Sequence, residues 1–507
     1  MAPRNAKYLA ICDRILYTIC MKHIPKEVRS ITAILQHNGY KAYLVGGCVR
    51  DILLGVTPKD WDVTTNATPE QIQELFPHTF YENTFGTVGV VNDFASDETL
   101  KTIEVTPFRK EGVYSDNRRP DEVQFGATLE EDLARRDFTI NALAYDPTDD
   151  VLIDAYDGEQ DLHNKVIRAV GNPEQRFNED ALRMMRAARL ATELSFTLEE
   201  ATAEAIRTHA SDLTKISNER IRDEFVKILL SNKPFLGLQI LLELGLLKYI
   251  IPEIEEGIGV AQNQAHSYTV FEHIGRTLQA AADKKFSLEL RLAALFHDIA
   301  KPHTKAMDPK KNDWSFHGHE VLGSKITRKR LRELRFPNEI IETVTKLVRW
   351  HMFFSDTEQI THSAVRRLIR NVGAENVENI LNLRVCDRIG TGRPKEQPYR
   401  LRKYKAMIDE VMRDPVSVSM LAIDGATLMK LIKERPGPRI GWILHALLEE
   451  VLDEPKLNTM EHLEKRSLEL AKLLDHELRA LGEKGKIAKE EAEEQEVKKI
   501  RSKHHVV

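Results

Sequence analysis

An apolar, β-prone run, Tyr43-Leu44-Val45, ends on Gly46-Gly47, with Arg50-Asp51 next and Asp60-Trp61-Asp62 after a short spacer. A buried strand that stops at two glycines leaves backbone N–H groups open to a phosphate, because no Cβ stands in the way. Asp62 leads into Val63-Thr64-Thr65. Residues i and i+2 of a strand project from one face, so Asp60 and Asp62 are expected to converge. Two hard oxygen donors beside a phosphate cradle suit a two-metal phosphoryl-transfer site. Asp-x-Asp alone is equally a solvated turn. Strand, Gly-Gly, Arg-Asp and Asp-x-Asp in that order are a much stronger signal.

The rest of the chain is organised differently. Its 507 residues allow several domains, each with its own core. A net charge of −5 exerts no global pull on nucleic acid, so any such surface must be a local basic face. The runs 325–335, 366–370 and 400–405 are candidates, each with a solvated helix face as the competing reading. Cys12, Cys20, Cys48 and Cys386 lack metal-type spacing, which points to a reducing cytoplasm without disulfides. Residues 8–21 are too short and too charged to span a membrane and read as a lead-in helix, so no membrane partner is expected. A helix is expected over 25–41, strands over 84–94 and 100–109, and a mobile charged loop over 110–119. Beyond about residue 170 the pattern is amphipathic helix, with Pro/Gly joints near 251–259, 391–398 and 436–441. Residues 463–503 are rich in Glu, Lys and Leu without an apolar heptad and read as an exposed helix with a frayed end.

Three further clusters carry chemistry. In Glu131-Asp132-Leu133-Ala134-Arg135-Arg136-Asp137-Phe138-Thr139-Ile140-Asn141-Ala142, Arg135 and Arg136 suit a triphosphate or ribose clamp. Asp137 and Asn141 share a face if the segment is helical; a salt-bridged surface helix competes. In Glu179-Asp180-Ala181-Leu182-Arg183 the acids and the arginine again fall on one helical face, with an intrahelical ion pair as the alternative. Cytosine and adenine present an amino donor beside a ring-nitrogen acceptor, which a carboxylate and a guanidinium match. Uracil and guanine present a carbonyl beside an N–H and are mismatched, so such a pair selects C and A without a template. Between these clusters, the acidic turn Asp154-Ala155-Tyr156-Asp157-Gly158 with Asp161-Leu162 suits the bracing of a hinge. Finally, His273, His297-Asp298, His317, His319, His351 and Asp387 lie on successive helices and form a mixed imidazole–carboxylate set for a divalent metal. For any one of them alone, a satisfied core histidine competes.

In order, the motifs Gly46-Gly47-Cys48-Val49-Arg50-Asp51 with Asp60-Trp61-Asp62, Arg135 to Ala142, Asp157-Gly158 with Asp161-Leu162, Glu179 to Arg183 and Ser217-Asn218-Glu219-Arg220 resemble the class II tRNA nucleotidyltransferases. These are the CCA-adding enzymes of the polymerase-beta-type superfamily. The similarity runs over residues 43–230, and Thr106-Pro107-Phe108-Arg109 and Arg118-Arg119-Pro120 fit the family's flexible loop. The resemblance implies that Asp60 and Asp62 are catalytic and hold Mg2+, and that Gly46, Gly47 and Arg50 engage the triphosphate. It assigns the ribose to Arg136, Asp137 and Asn141, and the base edge to Asp180 and Arg183, with Glu179 positioning Arg183 and Arg186 in the nucleotide-binding set. Residues 217–224 would stabilise the helical turn behind that site, and Glu104 is a candidate third acid.

The histidine-rich segment resembles the HD superfamily of metal-dependent phosphohydrolases. Its implied ligands are His273, His297, Asp298 and Asp387, with His317, His319 and His351 as additional positions, all for a divalent transition metal. Leu421-Ala422-Ile423-Asp424-Gly425 and Pro436-Gly437-Pro438-Arg439-Ile440-Gly441 resemble the C-terminal module of many bacterial members.

The implied organisation is a lead-in helix (1–24), a nucleotidyltransferase head of mixed sheet and helices (25–165), a helical neck with base-reading and RNA-binding helices (166–260), an HD domain (261–392), a helical tRNA-binding module (393–462) and a charged tail (463–507). The implied activity is addition of CCA to tRNA, recognised through its 3′ end and its acceptor and T arms, from CTP and ATP. Poly(A), C-only or A-only addition, an HD phosphohydrolase with an RNA-binding head, and a vestigial, purely structural HD site remain alternatives, as do monomer and homodimer.

Overall fold

β1 (Ala42–Val45) forms where the apolar run predicts it, with Ala42, Leu44 and Val45 buried. The computed structural model describes residues 24–81, 86–111, 123–264, 267–353, 361–392, 395–413 and 418–506. The lead-in helix, Arg118-Arg119-Pro120 and nearly all of the expected mobile loop lie outside them. The sheet around β1 also holds β2 (Asp62–Thr65), β3 (Thr79–Tyr81), β4 (Val88–Val91) and β5 (Thr102–Pro107). β6 (Arg109–Glu111) and β7 (Val123–Phe125) pair separately, and β8 (Leu143–Asp146) and β9 (Val151–Asp154) complete the main sheet. Its seven strands run in the order β3-β4-β5-β2-β1-β8-β9. Neighbours are antiparallel except β2 and β5, which are parallel.

A helix, Lys26–His37, feeds β1 and buries Val28, Ile31, Thr32 and Leu35, one stripe at helical spacing. It ends before the expected residue 41 because Gly39, at φ +88°, turns the chain into the strand.

The chain forms two compact units: residues 1–349 with 386–393, and residues 350–385 with 394–507. In the first, the head is followed by helices Pro173–Glu179, Leu182–Leu194, Glu200–His209, Asn218–Leu230 and Pro234–Glu243. Then come Val270–Asp283, Leu288–Phe296, Lys301–Thr304 and His319–Glu333. The predominance of helix beyond residue 170 follows the periodicity, with two departures among the described residues, the first being the short strand Thr197–Leu198 paired parallel with Val166–Ile167. Ala306–Asp308 and Asp313–Ser315 pair as a small antiparallel hairpin, too short and too polar for the sequence to signal. In the 325–335 basic run, Arg328 is paired with Glu342 and Arg330 with Glu253, so part of its charge is neutralised within the protein.

The second unit is all helix. Its core joins Ile423, Leu428, Ile443, Leu447, Leu463, Leu470 and Leu478. The tail is helical and mostly exposed, as expected, but it is not a frayed end: one edge of it is packed. Helix Asp475–Lys503 packs along Pro438–Asp453 through Gly482 and Gly485; a Cβ at Gly485 would stand 2.1 Å from the His445 carbonyl oxygen. Its far end is tied by Arg501 to Glu410 and by His504 to Asp409. Close glycine contact carries no apolar heptad, which is why the tail looked unpartnered. Among the described residues no helix is long and apolar enough to cross a membrane.

Candidate functional site

The head site grows from the end of β1. Gly46 has φ +80° and donates its N–H to the Leu143 carbonyl at 3.1 Å. A Cβ there would lie 2.9 Å from Arg136 Nη1 and 3.9 Å from Asp62 Oδ2, so glycine lets a guanidinium and a carboxylate close on the strand end together. From the next helix, Gly47–Leu53, Arg50 donates through Nη1 to Asn141 Oδ1 at 2.7 Å and through Nε to Asp51 at 2.8 Å. Cys48 is a packing residue: burial, reinforced by Asp62, pushes its thiol up to about 12.

Asp62 opens β2, and on the parallel neighbour β5 the residue in register with it is Glu104. Asp60 is exposed and lies in the bend before β2. The same-face argument for Asp60 and Asp62 is therefore corrected, since only one of them is on the strand. The strand-paired carboxylates are Asp62 and Glu104.

Helix Leu129–Ala134 starts on a capping box made by Thr128 and Glu131, which makes Glu131 a cap. Its fully buried Asp132 holds Arg135 at 2.7 Å and Arg136 at 3.4 Å and stands 3.4 Å from the Thr64 hydroxyl. Burial alone would raise the Asp132 pKa; the two arginines overcome it and hold it below the usual range. Sequence reasoning passed over Asp132, although its i+3 and i+4 spacing to the arginines was visible.

Asp137 and Asn141 do not share a helical face. Phe138 is extended and Thr139–Asn141 is a single 3-10 turn, yet that turn brings Asn141 Nδ2 to Asp137 Oδ1 at 3.1 Å. Asp137 also accepts from its neighbour Phe138 N–H at 2.8 Å and pairs with Arg186 at 2.6 Å. Against the cost of burial, Arg186 and Asn141 hold Asp137 well below the usual carboxylate range. The acidic turn braces this segment: Asp161 accepts from the Thr139 hydroxyl at 2.7 Å, and Asp154 from the Gly158 N–H at 2.9 Å.

The supposed single helix through Glu179 and Arg183 is broken. Pro173–Glu179 ends at Asp180 (φ −143°, ψ 106°), and a new helix begins at Leu182. Glu179 still meets Arg183 at 2.5 Å, and Arg183 Nη2 donates to the Arg135 carbonyl at 3.0 Å. Asp180 turns to Arg220, at 2.8 Å. Arg176, which the sequence reading did not single out, donates to Glu179 at 2.6 Å and to the Ala134 carbonyl at 3.0 Å. Its i,i+3 spacing to Glu179 reads as an ordinary intrahelical pair, and its link to Ala134, 42 positions back in the head, leaves no periodicity to read.

The second cluster is buried in the same unit. His273 Nε2 lies 3.0 Å from His297 Nε2, 3.1 Å from Asp298 Oδ2 and 3.3 Å from Asp387 Oδ1; His297 Nε2 is 3.2 Å from Asp298 Oδ2. Around a metal with bonds of about 2.1 Å, adjacent donors stand about 3.0 Å apart at right angles and about 3.4 Å apart in a tetrahedron. His297 Nδ1 faces the Ala294 carbonyl at 2.8 Å, and His319 Nδ1 that of Phe316 at 2.6 Å. A carbonyl only accepts, so in the neutral rings the Nε2 lone pairs point inward. His319 Nε2 is 3.2 Å from Asp298 Oδ1. Lys301, another unpredicted member, sits 2.6 Å from Asp298 and 2.7 Å from Gln262. Burial pulls the His273 pKa down, but Asp298 and Asp387 outweigh it and raise it to about 9. Asp298 is held well below the carboxylate range against its own burial by His297, Lys301 and His273. His317 is exposed, and His351 belongs to the second unit. The group His273, His297 and Asp298 can hold a metal ion.

Residues 42–168 match the Poly A polymerase head domain family, 195–258 the probable RNA and SrmB-binding site of polymerase A, and 264–391 the HD domain. The CCA-adding enzyme of Ligilactobacillus salivarius is 47% identical over 233 residues; the match spans 45% of this chain but only 56% of that protein. The Lactobacillus helveticus CCA-adding enzyme is 34% identical over 85% of this chain and 94% of its own length. Among solved structures, the Bacillus stearothermophilus CCA-adding enzyme in complex with CTP is 28% identical, with a TM-score of 0.57 over 88% of this chain and 98% of that one. A match at one-third identity over nearly the whole length of a relative, on a fold and motif order shared with it, places the chain in the CCA-adding enzyme family.

Proposed function

We propose that this chain extends the 3′ end of tRNA with C, C and A from CTP and ATP, without a nucleic-acid template. The observation that carries the reading is the anchoring of Arg183: its guanidinium reaches the Arg135 carbonyl, directly ahead of Arg136 and Asp137, with Asp180 three residues before it. A base-reading pair held in register with a sugar- and phosphate-binding segment does the work of a template. Gly46, Gly47, Arg50 and Arg136 receive the triphosphate, and Asp137 and Asn141, hydrogen-bonded to each other, present one polar face to the ribose. Arg186 holds Asp137 ionised. Asp180 and Arg183 match the amino donor and ring acceptor of C or A.

Asp60, Asp62 and Glu104 are hard oxygen donors of the type Mg2+ takes, and they would hold it. When bound, it supplies charge neutralisation at the α-phosphate and acidifies the 3′-hydroxyl. Four cysteines without metal-type spacing, with the Cys48 thiol donating to the Val45 carbonyl, suit a protein of the reducing cytoplasm.

The convergent histidines and aspartates favour a second activity, hydrolysis of a phosphoester, with His273, His297, Asp298 and Asp387 holding a divalent transition metal that provides an activated water. Lys301 beside Asp298 provides a positive charge for a phosphoryl oxygen.

Labelled CTP and ATP, separately and together, offered with tRNA ending at the discriminator base, test the principal reading, with Asp62→Ala as control. Two C then one A is the expected result. Unlimited A makes the chain a poly(A) polymerase, and no incorporation with Mg2+ present refutes the transfer reading.

A further inference from the structure

We infer that Arg176 is a positioning residue for base selection: through Glu179 it fixes the orientation of Arg183 that separates C and A from U and G. The inference rests on Asp180 and Arg183 being the base-edge reader. Because the helix breaks at Asp180, helical geometry does not set Arg183 relative to Glu179, so side-chain links must. The Glu179 carboxylate has two oxygens and each is taken: Oε1 by Arg176 at 2.6 Å, Oε2 by Arg183 at 2.5 Å. Arg183 Nη1 donates again to the Arg176 carbonyl at 3.1 Å, so backbone and side chain of residue 176 both hold it.

The other arms of the two guanidinium groups are planted on consecutive carbonyls, Ala134 from Arg176 at 3.0 Å and Arg135 from Arg183 at 3.0 Å. These lie at the C-terminal end of helix Leu129–Ala134, where carbonyls lack intrahelical donors and the helix dipole favours cations. Arg176, Glu179 and Arg183 thus form one clamp across the break, referenced to the residues that precede Arg136 and Asp137. Without Arg176, Glu179 keeps one partner and can rotate, and Arg183 can then meet a carbonyl-bearing base as readily as an amino-bearing one. A lysine supplies charge but no fork, so it can serve Glu179 or Ala134 and not both.

The test is single-nucleotide incorporation of CTP and of UTP by the full chain on tRNA ending at the discriminator base, with Tm measured in parallel. For Arg176→Ala the CTP-over-UTP ratio of kcat/KM should fall about tenfold or more, chiefly through the KM for CTP, as expected when a reading group moves by about 1 Å. Arg176→Lys should fall between, and Arg176→Ala combined with Glu179→Gln should be no worse than Glu179→Gln alone. A purely structural Arg176 would lower Tm and both nucleotides' kcat/KM alike with the ratio unchanged, which overturns the inference. If Arg176→Ala does not fold, Arg176→Lys carries the same readout. A ratio that drops in Arg183→Ala but not in the Arg176 variants overturns the inference alone. A ratio unmoved in Arg183→Ala overturns the base-reading assignment with it.

Discussion

Gly158→Ala isolates the wedge behind the nucleotide turn. Gly158 is pinned from one side, because Asp154 accepts its N–H and that of Glu159, each at 2.9 Å. A Cβ on it would stand 2.3 Å from the Thr139 carbonyl oxygen, 2.9 Å from the Thr139 carbonyl carbon and 3.1 Å from Leu143 Cδ2. The nearest contact is about 1 Å short of van der Waals separation. Thr139 cannot simply retreat, since its N–H is bonded to the Arg168 carbonyl at 2.9 Å and its hydroxyl to Asp161 at 2.7 Å. The strain therefore passes into Phe138–Asn141, which places Asp137 and Asn141. Overpacking of this kind costs about 1–3 kcal/mol, and a shift of about 1 Å at a binding turn costs about a hundredfold in kcat/KM for CTP. Thermal unfolding and steady-state CTP incorporation measure the two effects. Gly245→Ala is the control: Gly245 has φ +67° and open space around its Cα, so alanine there costs about 1–2 kcal/mol of backbone strain without touching the site. Should Gly158→Ala keep wild-type kcat/KM, or lose no more of it than Gly245→Ala, the wedge does not set the turn.

Asp132→Asn keeps the shape but removes the buried charge between Arg135 and Arg136. It should cost about 2–4 kcal/mol by denaturant titration and raise the KM for CTP, because Arg136 loses its anchor. His209 is drawn down by burial but raised overall by Asp212, at 3.0 Å, and by Glu174. A folded pKa above the unfolded one stabilises below about pH 6.5, and the contribution is lost as pH rises through the raised value. The thermal midpoint should decline over that interval, and His209→Gln should flatten the decline. For the second cluster, metal analysis should find a divalent transition metal, and 1,10-phenanthroline in excess Mg2+ should lower Tm by several degrees. His297→Ala should lose both the metal and the chelator sensitivity; retained sensitivity refutes the shell.

Much of the head was legible because its signals are local. An apolar strand stopped by Gly46-Gly47 and the β-branched run Val63-Thr64-Thr65 after Asp62 each fix an element within a few residues. Three inferences about faces were wrong in the same way. Asp60 lies in a bend, Asp137 and Asn141 flank a single 3-10 turn, and Glu179 and Arg183 straddle a helix break. A spacing of four mimics a helical face, but a turn of three residues has no period to read. Arg176 and Lys301 stayed hidden for another reason: their carbonyl and amide partners, Ala134 and Gln262, lie about forty positions away along the chain. The Gly485 contact with His445 was equally silent, since close approach leaves a missing side chain as its only trace.

Charge balance separates the two sites in a way that sequence motifs do not. Across the head and neck, Arg50, Arg135, Arg136, Arg176, Arg183, Arg186 and Arg220 pair with Asp51, Asp132, Asp137, Glu179 and Asp180. Beside Gly46-Gly47 stand the Arg136 and Arg50 guanidinium groups, positive charge of the kind a triphosphate would need. The Asp62 carboxylate, 3.9 Å from a Cβ placed at Gly46, and Glu104 in register with it border these cations on the strand side. Around His273 the sign is reversed. Asp298 and Asp387 lie against the imidazoles of His273 and His297, with Lys301 beside Asp298, and His297 and His319 turn Nε2 toward the cluster and Nδ1 to backbone carbonyls. A buried group with a surplus of acceptors is stable only with a proton or a metal at its centre. On the proposed reading, the first arrangement suits an anion and the second a cation.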